Sequence, residues 1–269
     1  MNDTDRASFR QFEHEGWQKV ATRYHDSFAP VTTQSIAPLL DAAKVRNGTK
    51  VLDVACGPGY VTAAAAARGA SVMGVDFSSE MVLEARRRYP ELEFMEGDAE
   101  ALTLPNNAFD AVVFNFGILH FAQPERAIAE AHRVLRRSGR VAFTVWAPPE
   151  KTLGFGIVLG AIQKYGDLSV PIPPGPPFFR FSASEESERF LTNAGFVNPI
   201  VREVPQTWKL SSADELFHVM YNASVRNAAL LHAQKPEVLE FIRTEVRRQV
   251  ELYASELPMP AILYSAERG

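Results

Sequence analysis

Short apolar segments rich in Val, Ile and Phe alternate with helix-favouring segments between Gly48 and Trp146, and this alternation constrains the fold more than any other feature. Their composition and turn-rich borders predict strands at 50–54, 71–75, 91–95, 110–116 and 140–146. Helical spacing of apolar residues predicts helices near 59–68, 79–89 and 124–137. A repeated strand–helix–strand order predicts an α/β fold, with a mostly parallel sheet and helices on both of its faces.

The remaining segments are predicted to be additions to one domain that spans residues 1–269. Residues 1–45 are predicted to form a helical cap, and 46–147 are predicted to form a ligand-binding core. Residues 148–257 are expected to contain a proline-rich loop, a helix at 182–194, a sixth strand at 196–210 and helices over 211–256. Residues 258–269 are predicted to be the final strand.

Composition narrows the class of protein and of partner. The chain has 269 residues with a net charge of −4, so nucleic acid is not an expected partner. Cys56 is the only cysteine, which excludes an intrachain disulfide and a multi-cysteine metal site, and we expect no metal. The polar first residues and the lack of a long apolar run predict a cytoplasmic protein without a membrane span.

The stretch "VLDVACGPGYVT", residues 51–62, runs from a strand through a glycine turn into a helix, as in nucleotide-binding proteins. Thr62 stands where a dinucleotide fingerprint has its third glycine, and no Gly-Lys-Ser/Thr ending of a phosphate-binding loop follows. Asp53 lies just before the turn, where a carboxylate would repel phosphates and attract an ammonium or sulfonium group. The turn therefore favours a ligand that carries positive charge.

Two further carboxylates are predicted at the same edge of the sheet. Asp76 ends the second strand, where an acidic residue can accept hydrogen bonds from both ribose hydroxyls, although it also directly precedes a helix capped by Ser78. Asp98 ends the third strand, where it can accept from an adenine amino group while the N–H of Ala99 meets a ring nitrogen. Three strands in succession thus end in an acidic residue.

With these motifs, the sequence resembles the class I S-adenosylmethionine-dependent methyltransferases. "VLDVACGPGYVT", "VMGVDFSSEMVLEARRR", "FMEGDAEALTLPNNAFDAVVFNFGILHF" and "AIAEAHRVLRRSGRVAFTVW" match that family's motifs in order and spacing, whereas "RRSGR" replaces its usual Pro-Gly-Gly turn. The branch of the family that this sequence is most similar to methylates small molecules and includes the ubiquinone and menaquinone methyltransferases. The resemblance implies a Rossmann-like sheet of seven strands with the last strand antiparallel.

The resemblance also implies the cofactor S-adenosyl-L-methionine, the product S-adenosyl-L-homocysteine and a set of binding residues. Gly57 and Gly59 would approach the methionine part, with Asn115 or Phe116 behind it. Asp76 would hold the ribose, and Asp98 with Ala99 the adenine. The set of expected cofactor-binding residues is Tyr24, Asp53, Gly57, Gly59, Asp76, Phe77, Met81, Asp98, Ala99, Asn115 and Phe116.

The expected reaction is an in-line methyl transfer to a small acceptor, for which an aromatic or otherwise apolar molecule is the candidate. His120, just past the fourth strand, is the candidate general base; the alternative is that it only packs beneath the next helix. Trp17 and Tyr24 of the cap, and the loop 170–181, are candidate walls of the acceptor cavity, or else ordinary core and linker. Other functions left open are an NAD-dependent oxidoreductase, which Asp53 and Thr62 oppose, and a non-catalytic S-adenosylmethionine-binding regulator. The sequence leaves open whether the protein is a monomer or a homodimer.

Overall fold

The computed structural model describes residues 1–269, and its centre is a seven-stranded sheet. In chain order its strands are β1 Lys50–Val54, β2 Ser71–Asp76, β3 Glu93–Glu96, β4 Phe109–Asn115, β5 Leu135–Trp146, β6 Phe196–Val204 and β9 Ala261–Arg268. The spatial order is β3-β2-β1-β4-β5-β9-β6. The pairs among β1 to β5 are parallel, whereas β9 runs antiparallel to both β5 and β6. The predicted α/β class and the antiparallel last strand are confirmed.

Two short strands, β7 Thr207–Lys209 and β8 Glu256–Pro258, form a separate antiparallel pair. The helices lie between and around the strands: α1 Asp3–Val20, α2 Ala29–Thr32, α3 Ile36–Ala42, α4 Tyr60–Ala67, α5 Ser79–Arg88, α6 Pro124–Val134, α7 Leu153–Tyr165, α8 Ser184–Asn193, α9 Glu215–Asn222, α10 Arg226–His232 and α11 Pro236–Glu251. No helix is both long enough and apolar enough to cross a bilayer.

The core lies on both sides of the central strands. Val51 and Leu52 of β1 are fully buried, and so are the four consecutive residues 111–114 of β4. A strand that is covered on both faces needs a continuous apolar run rather than alternation. This is why the sequence signals for β1 and β4 predicted their positions to within a residue.

The junction between α6 and β5 differs from the prediction. The helix ends at Val134 rather than at residue 137, and β5 begins at Leu135, which pairs with Phe109 before the register shifts. Ser138 adopts φ 61°, and a Cβ on Gly139 would lie 2.8 Å from the carbonyl oxygen of Arg136. The segment "RRSGR" therefore forms an irregular part of the strand instead of the predicted helix end and turn.

The segment after β5 differs more. Helix α7 occupies residues that carried no prediction, and the single strand predicted at 196–210 is divided at Pro205 into β6 and β7. Residue 258 belongs to β8, and the last strand begins at Ala261 rather than at 258. β8 begins at Glu256, the last residue of the predicted helical region 211–256. Proline has no N–H for a strand ladder, which explains why Pro205 and Pro260 separate these strands.

Candidate active site

A cleft of about 1040 Å³ opens at the carboxyl ends of β1, β2 and β4, and we call it the main cleft. α1, the segment that follows it, the loop before α8 and the start of α10 contribute the other walls. Most of the residues expected at the cofactor line it: Tyr24, Asp53, Gly57, Asp76, Phe77, Met81, Asn115 and Phe116. His120, the candidate base, lines it as well. Asp98 and Ala99 line a smaller adjacent cleft, the side cleft, which shares Asp76, Phe77 and His120 with the main one.

The turn after β1 places strained backbone at the floor of the main cleft. Ala55 has φ 56° and Gly57 has φ 51°, in the left-handed region that costs a non-glycine residue energy. Gly59 has φ 85°, and a Cβ there would lie 2.7 Å from Cζ of Phe94. Gly59 lines neither cleft, so the structure gives it a role in forming the turn and packing the helix rather than direct exposure to a ligand.

Asp53 is the most unusual group in the main cleft. Its side chain is 1 % exposed; Oδ2 accepts a hydrogen bond from Thr62 Oγ1 at 2.6 Å, whereas Oδ1 is buried without any partner. Burial raises the pKa of Asp53 to about 7, against the lowering effect of the bonds from Thr62. An unpartnered buried carboxylate oxygen in a cleft is an acceptor for a donor from outside the chain.

Asp76 is held by backbone donors on both oxygens. Oδ2 accepts from Gly57 N at 2.8 Å and Oδ1 accepts from Ser78 N at 2.9 Å. Burial raises its pKa to about 6, although those two bonds oppose the rise. Each oxygen retains a second lone pair, so the carboxylate can still accept from a ligand in the cleft. The Asp76 carboxylate can therefore hold the backbone before the helix capped by Ser78 and bind a ligand at the same time.

Asp98 and Asn115 have partners within the protein. Asp98 Oδ2 accepts from Arg10 Nη1 of α1 at 2.5 Å, so the cap reaches the side cleft. Asn115 Oδ1 accepts from Ser35 Oγ and Thr144 Oγ1 at 2.8 and 2.7 Å, and its Nδ2 donates to the carbonyl of Thr32. The Asn115 amide thus joins β4 to β5 and the cap, and its oxygen is already satisfied by two hydroxyl donors.

Aromatic side chains make up the outer wall of the main cleft. They are Trp17, Tyr24, Phe28, Phe116, Phe121, Trp146, Phe155 and Phe178. Phe116, with φ 60°, stacks on Trp146 at a centroid distance of 4.0 Å. Tyr24 Oη is hydrogen bonded to Thr32 Oγ1, and burial raises the pKa of Tyr24 to about 12. The wall is therefore apolar, and the phenol of Tyr24 stays protonated at neutral pH.

A buried carboxylate from α1 meets the candidate base. Glu13 is fully buried; its Oε2 lies 2.9 Å from Nδ1 of His120, and its Oε1 accepts from Arg226 Nε at 2.6 Å. Trp17 Nε1 also donates to Oε2, at 3.2 Å. Burial raises the pKa of Glu13, but electrostatic interactions and hydrogen bonds with His120 and Arg226 outweigh it, so the pKa lies below its ordinary value.

Sequence reasoning missed Glu13, although the sequence held a signal for it. Phe9, Glu13 and Trp17 are spaced four residues apart, so the glutamate lies on the face of α1 that carries the aromatic residues. A charged residue on such a face is seldom buried without partners. Arg226, at the start of α10, also lines the main cleft.

Comparison with known proteins finds methyltransferases among both the curated relatives and the solved structures. A family model described as a methyltransferase domain matches residues 52–143. The demethylmenaquinone methyltransferase of Thermus thermophilus is 39% identical over 199 residues, which are 72% of this chain and 85% of that protein. That of Beutenbergia cavernae is 40% identical over 121 residues, 43% of this chain and 50% of that protein. The chain spans about half the length of the first curated relatives that it matches.

A solved structure supports the fold at lower identity. The phosphoethanolamine N-methyltransferase 2 of Haemonchus contortus, in complex with phosphomonomethylethanolamine and S-adenosylhomocysteine, superposes with a TM-score of 0.60 at 18% identity. The match covers 97% of this chain and 60% of that chain.

Proposed function

The chain belongs to the class I S-adenosylmethionine-dependent methyltransferases, and we propose that it transfers the methyl group of S-adenosylmethionine to a small aromatic acceptor that carries an O–H group. The transfer is an in-line displacement at the methyl carbon. The single observation that carries the cofactor assignment is the unpartnered, buried Oδ1 of Asp53 in the main cleft.

The orphan oxygen fits a cationic donor better than any phosphate. S-adenosylmethionine offers an ammonium group on its methionine part and a sulfonium centre, and a carboxylate attracts both. A dinucleotide pyrophosphate at the glycine turn would instead be repelled by Asp53, which lines the main cleft. The residues present therefore fit the methyl donor, and they oppose the oxidoreductase alternative.

Other residues would hold the rest of the donor. Asp76 would accept from the ribose hydroxyls, and Asp98 with the N–H of Ala99 would meet the adenine from the side cleft. Phe77 and Met81 offer apolar surface beside these carboxylates. Gly57 lets the backbone approach, while Gly59 and Asn115 would act indirectly, by shaping the turn and the end of β4.

The acceptor site is proposed from the aromatic wall. Rings such as Trp146, Phe155 and Phe178 bind a flat apolar molecule by burying its surface and by stacking. The names of the curated relatives support an aromatic acceptor, because demethylmenaquinone contains a ring system. A quinone itself has no O–H group, and only its reduced, hydroquinone form can lose a proton and act as the nucleophile. We therefore propose that the acceptor is such a hydroquinone.

When bound, S-adenosylmethionine supplies an electrophilic methyl group on a sulfonium. Tyr24 and the aromatic wall exclude water and hold the acceptor in line with it, a positioning effect worth up to about 7–11 kcal/mol in model systems. His120 lines both clefts, and its Nε2 has no hydrogen-bond partner in the protein. It would accept the proton of the acceptor O–H as the new bond forms, a contribution of about 10²–10⁴-fold.

Two measurements test this proposal. Calorimetric titration with S-adenosylmethionine, S-adenosylhomocysteine and NADH should show binding of the first two and none of NADH. Transfer of a radiolabelled methyl group to 1,4-naphthohydroquinone should then exceed transfer to an aliphatic alcohol. Binding of NADH alone would overturn the cofactor assignment, and equal labelling of both acceptors would overturn the aromatic acceptor.

A further inference from the structure

We propose that Glu13 is a positioning residue: it holds His120 in the tautomer whose Nε2 is the basic nitrogen, and Arg226 balances the charge of Glu13 so that His120 stays neutral. This inference rests on the proposed role of His120 as the base. It adds a function to the cap, because α1 delivers the carboxylate that prepares the base.

The tautomer follows from which atoms can donate. An ionised carboxylate only accepts hydrogen bonds, so the contact of 2.9 Å between Glu13 Oε2 and His120 Nδ1 requires a proton on Nδ1. A neutral imidazole carries one proton, so Nε2 then has a free lone pair. The His120 ring is also fixed by Trp17, which packs edge-on against it with 4.8 Å between the ring centroids.

The neutrality of His120 follows from Arg226. A buried carboxylate needs a compensating positive charge, and either a protonated His120 or the guanidinium can supply it. Arg226 bonds Glu13 Oε1 at 2.6 Å, and its other nitrogens donate to the carbonyls of Pro176 and Leu119. Because arginine stays charged at all relevant pH values, His120 is not needed as the counter-ion and remains able to accept a proton.

Apart from Asp53, the other carboxylates around His120 are paired with a charge or held by backbone donors. The charged and titratable groups that face it or share its clefts are Arg10, Glu13, Tyr24, Asp53, Cys56, Tyr60, Asp76, Asp98, Glu100 and Arg226. Arg10 pairs with Asp98, and Glu100 accepts from the backbone N–H of Gln123. Asp76 has two backbone donors, so the direct carboxylate partner of the His120 ring is Glu13.

Glu13→Gln gives a sharp test because its amide has only one oxygen. Arg226 only donates and forms the shorter, charged bond at 2.6 Å, so it should take the amide oxygen at the expense of the 3.2 Å bond from Trp17 Nε1. The NH₂ group is then left facing His120. That NH₂ donates to Nδ1, which forces the ring proton onto Nε2 and removes the base. Glu15→Gln is the matched control, since Glu15 is exposed on the same helix.

Two-bond ¹H–¹⁵N correlation spectra of the histidine-labelled full chain report the tautomer directly, with His120→Asn identifying the signal. We expect an Nδ1–H tautomer in the wild type and in Glu15→Gln, and an Nε2–H tautomer in Glu13→Gln. Methyl transfer to 1,4-naphthohydroquinone should fall about 10²-fold in kcat for Glu13→Gln, with an unchanged dissociation constant for S-adenosylmethionine. An unchanged tautomer in Glu13→Gln, or an Nε2–H tautomer in the wild type, would overturn the inference.

Arg226→Met tests the second half of the proposal, because it removes the charge and keeps an apolar stem. We expect His120 to take up a proton, visible as a cationic imidazole in the same spectra, and turnover to recover as pH rises. A neutral His120 in this variant would refute the balancing role. The spectra need neither S-adenosylmethionine nor a methyl acceptor in the sample. Their outcome is therefore independent of the calorimetric titration with S-adenosylmethionine, which tests the proposed function.

Discussion

Asp53→Asn should stabilise the cofactor-free protein at pH 8 and weaken its binding of S-adenosylmethionine. The folded state holds the pKa of Asp53 at about 7, above the ordinary value of 3.8, because the carboxyl is buried. Stability from such a group is full below the unfolded pKa and is lost as pH rises through the folded pKa. Above pH 7 the native protein therefore carries a buried charge at a cost that asparagine does not have.

The size of the effect follows from that difference in pKa. The rise from 3.8 to about 7 corresponds to about 4 kcal/mol of lost stability at high pH. The introduced asparagine would keep the bond from Thr62 Oγ1 but would bury an unpaired NH₂ group, which costs about 1–3 kcal/mol. A net gain of about 1–3 kcal/mol remains, and each kcal/mol raises the Tm of a chain of this size by about 2–4 °C.

Calorimetric unfolding of the cofactor-free variant and wild type at pH 8 and pH 5 measures the gain. We expect the variant to have the higher Tm at pH 8, and this advantage to shrink by more than half at pH 5, where native Asp53 is protonated. Exposed Asp26→Asn is the control, with no pH-dependent difference expected. A variant that is less stable than the wild type at pH 8, or whose advantage does not depend on pH, would refute the reasoning.

Asp53→Asn should bind S-adenosylmethionine about 10- to 150-fold more weakly than the wild type at pH 8. This range corresponds to the loss of one charge-assisted hydrogen bond, which is worth about 1.5–3 kcal/mol. Wild-type affinity should fall as pH drops below about 7, whereas the affinity of the variant should be flat across that range. Equal pH profiles of the dissociation constant, measured by calorimetry, would show that Asp53 does not meet the ammonium group.

Three further predictions concern neighbouring residues. Asp76→Ala should weaken S-adenosylmethionine binding and, contrary to the expectation for a pure ligand residue, also lower the Tm, because the N–H groups of Gly57 and Ser78 lose their acceptor; an unchanged calorimetric affinity would remove the ribose assignment. Gly59→Ala should destabilise the fold by about 1–3 kcal/mol, since its Cβ would lie 2.7 Å from Phe94 Cζ at a φ of 85°. A free energy of unfolding equal to that of the wild type, measured by chemical denaturation, would contradict this. His120→Gln should retain S-adenosylmethionine binding and lower methyl transfer to 1,4-naphthohydroquinone by about 10²-fold; full turnover would leave His120 with a packing role only.

Much of the site followed from local sequence patterns. Asp53, Asp76 and Asp98 each follow or end a strand with a clear apolar pattern, so their common edge is fixed once the sheet is parallel. Asn115 was placed correctly at the end of β4, but its hydrogen bonds to Ser35 and Thr144 were not foreseeable. Those partners lie 80 and 29 residues away along the chain, and no spacing rule connects them.

The region after β5 was predicted less well for the same reason. The boundaries of α7, β7 and β8 depend on how the chain packs back onto the cap, and β7 pairs with a strand almost 50 residues later. Strand preference is set largely by neighbouring side chains and burial, so a three-residue strand leaves little local signal. The aromatic wall, which gathers Trp146, Phe155 and Phe178 from three segments, was therefore only partly anticipated.

Short runs of consecutive residues specify the alternation of strands and helices, the glycine turn and the acidic residues at the strand ends, so the amino-acid sequence alone was enough to predict them. The protonation chemistry of the site depends instead on the folded chain. The unpartnered oxygen of Asp53 arises from burial beneath distant segments, and the contact between Glu13, His120 and Arg226 joins residues up to 213 positions apart. Burial and charge pairing are properties of the packed chain, and they set which groups hold a proton.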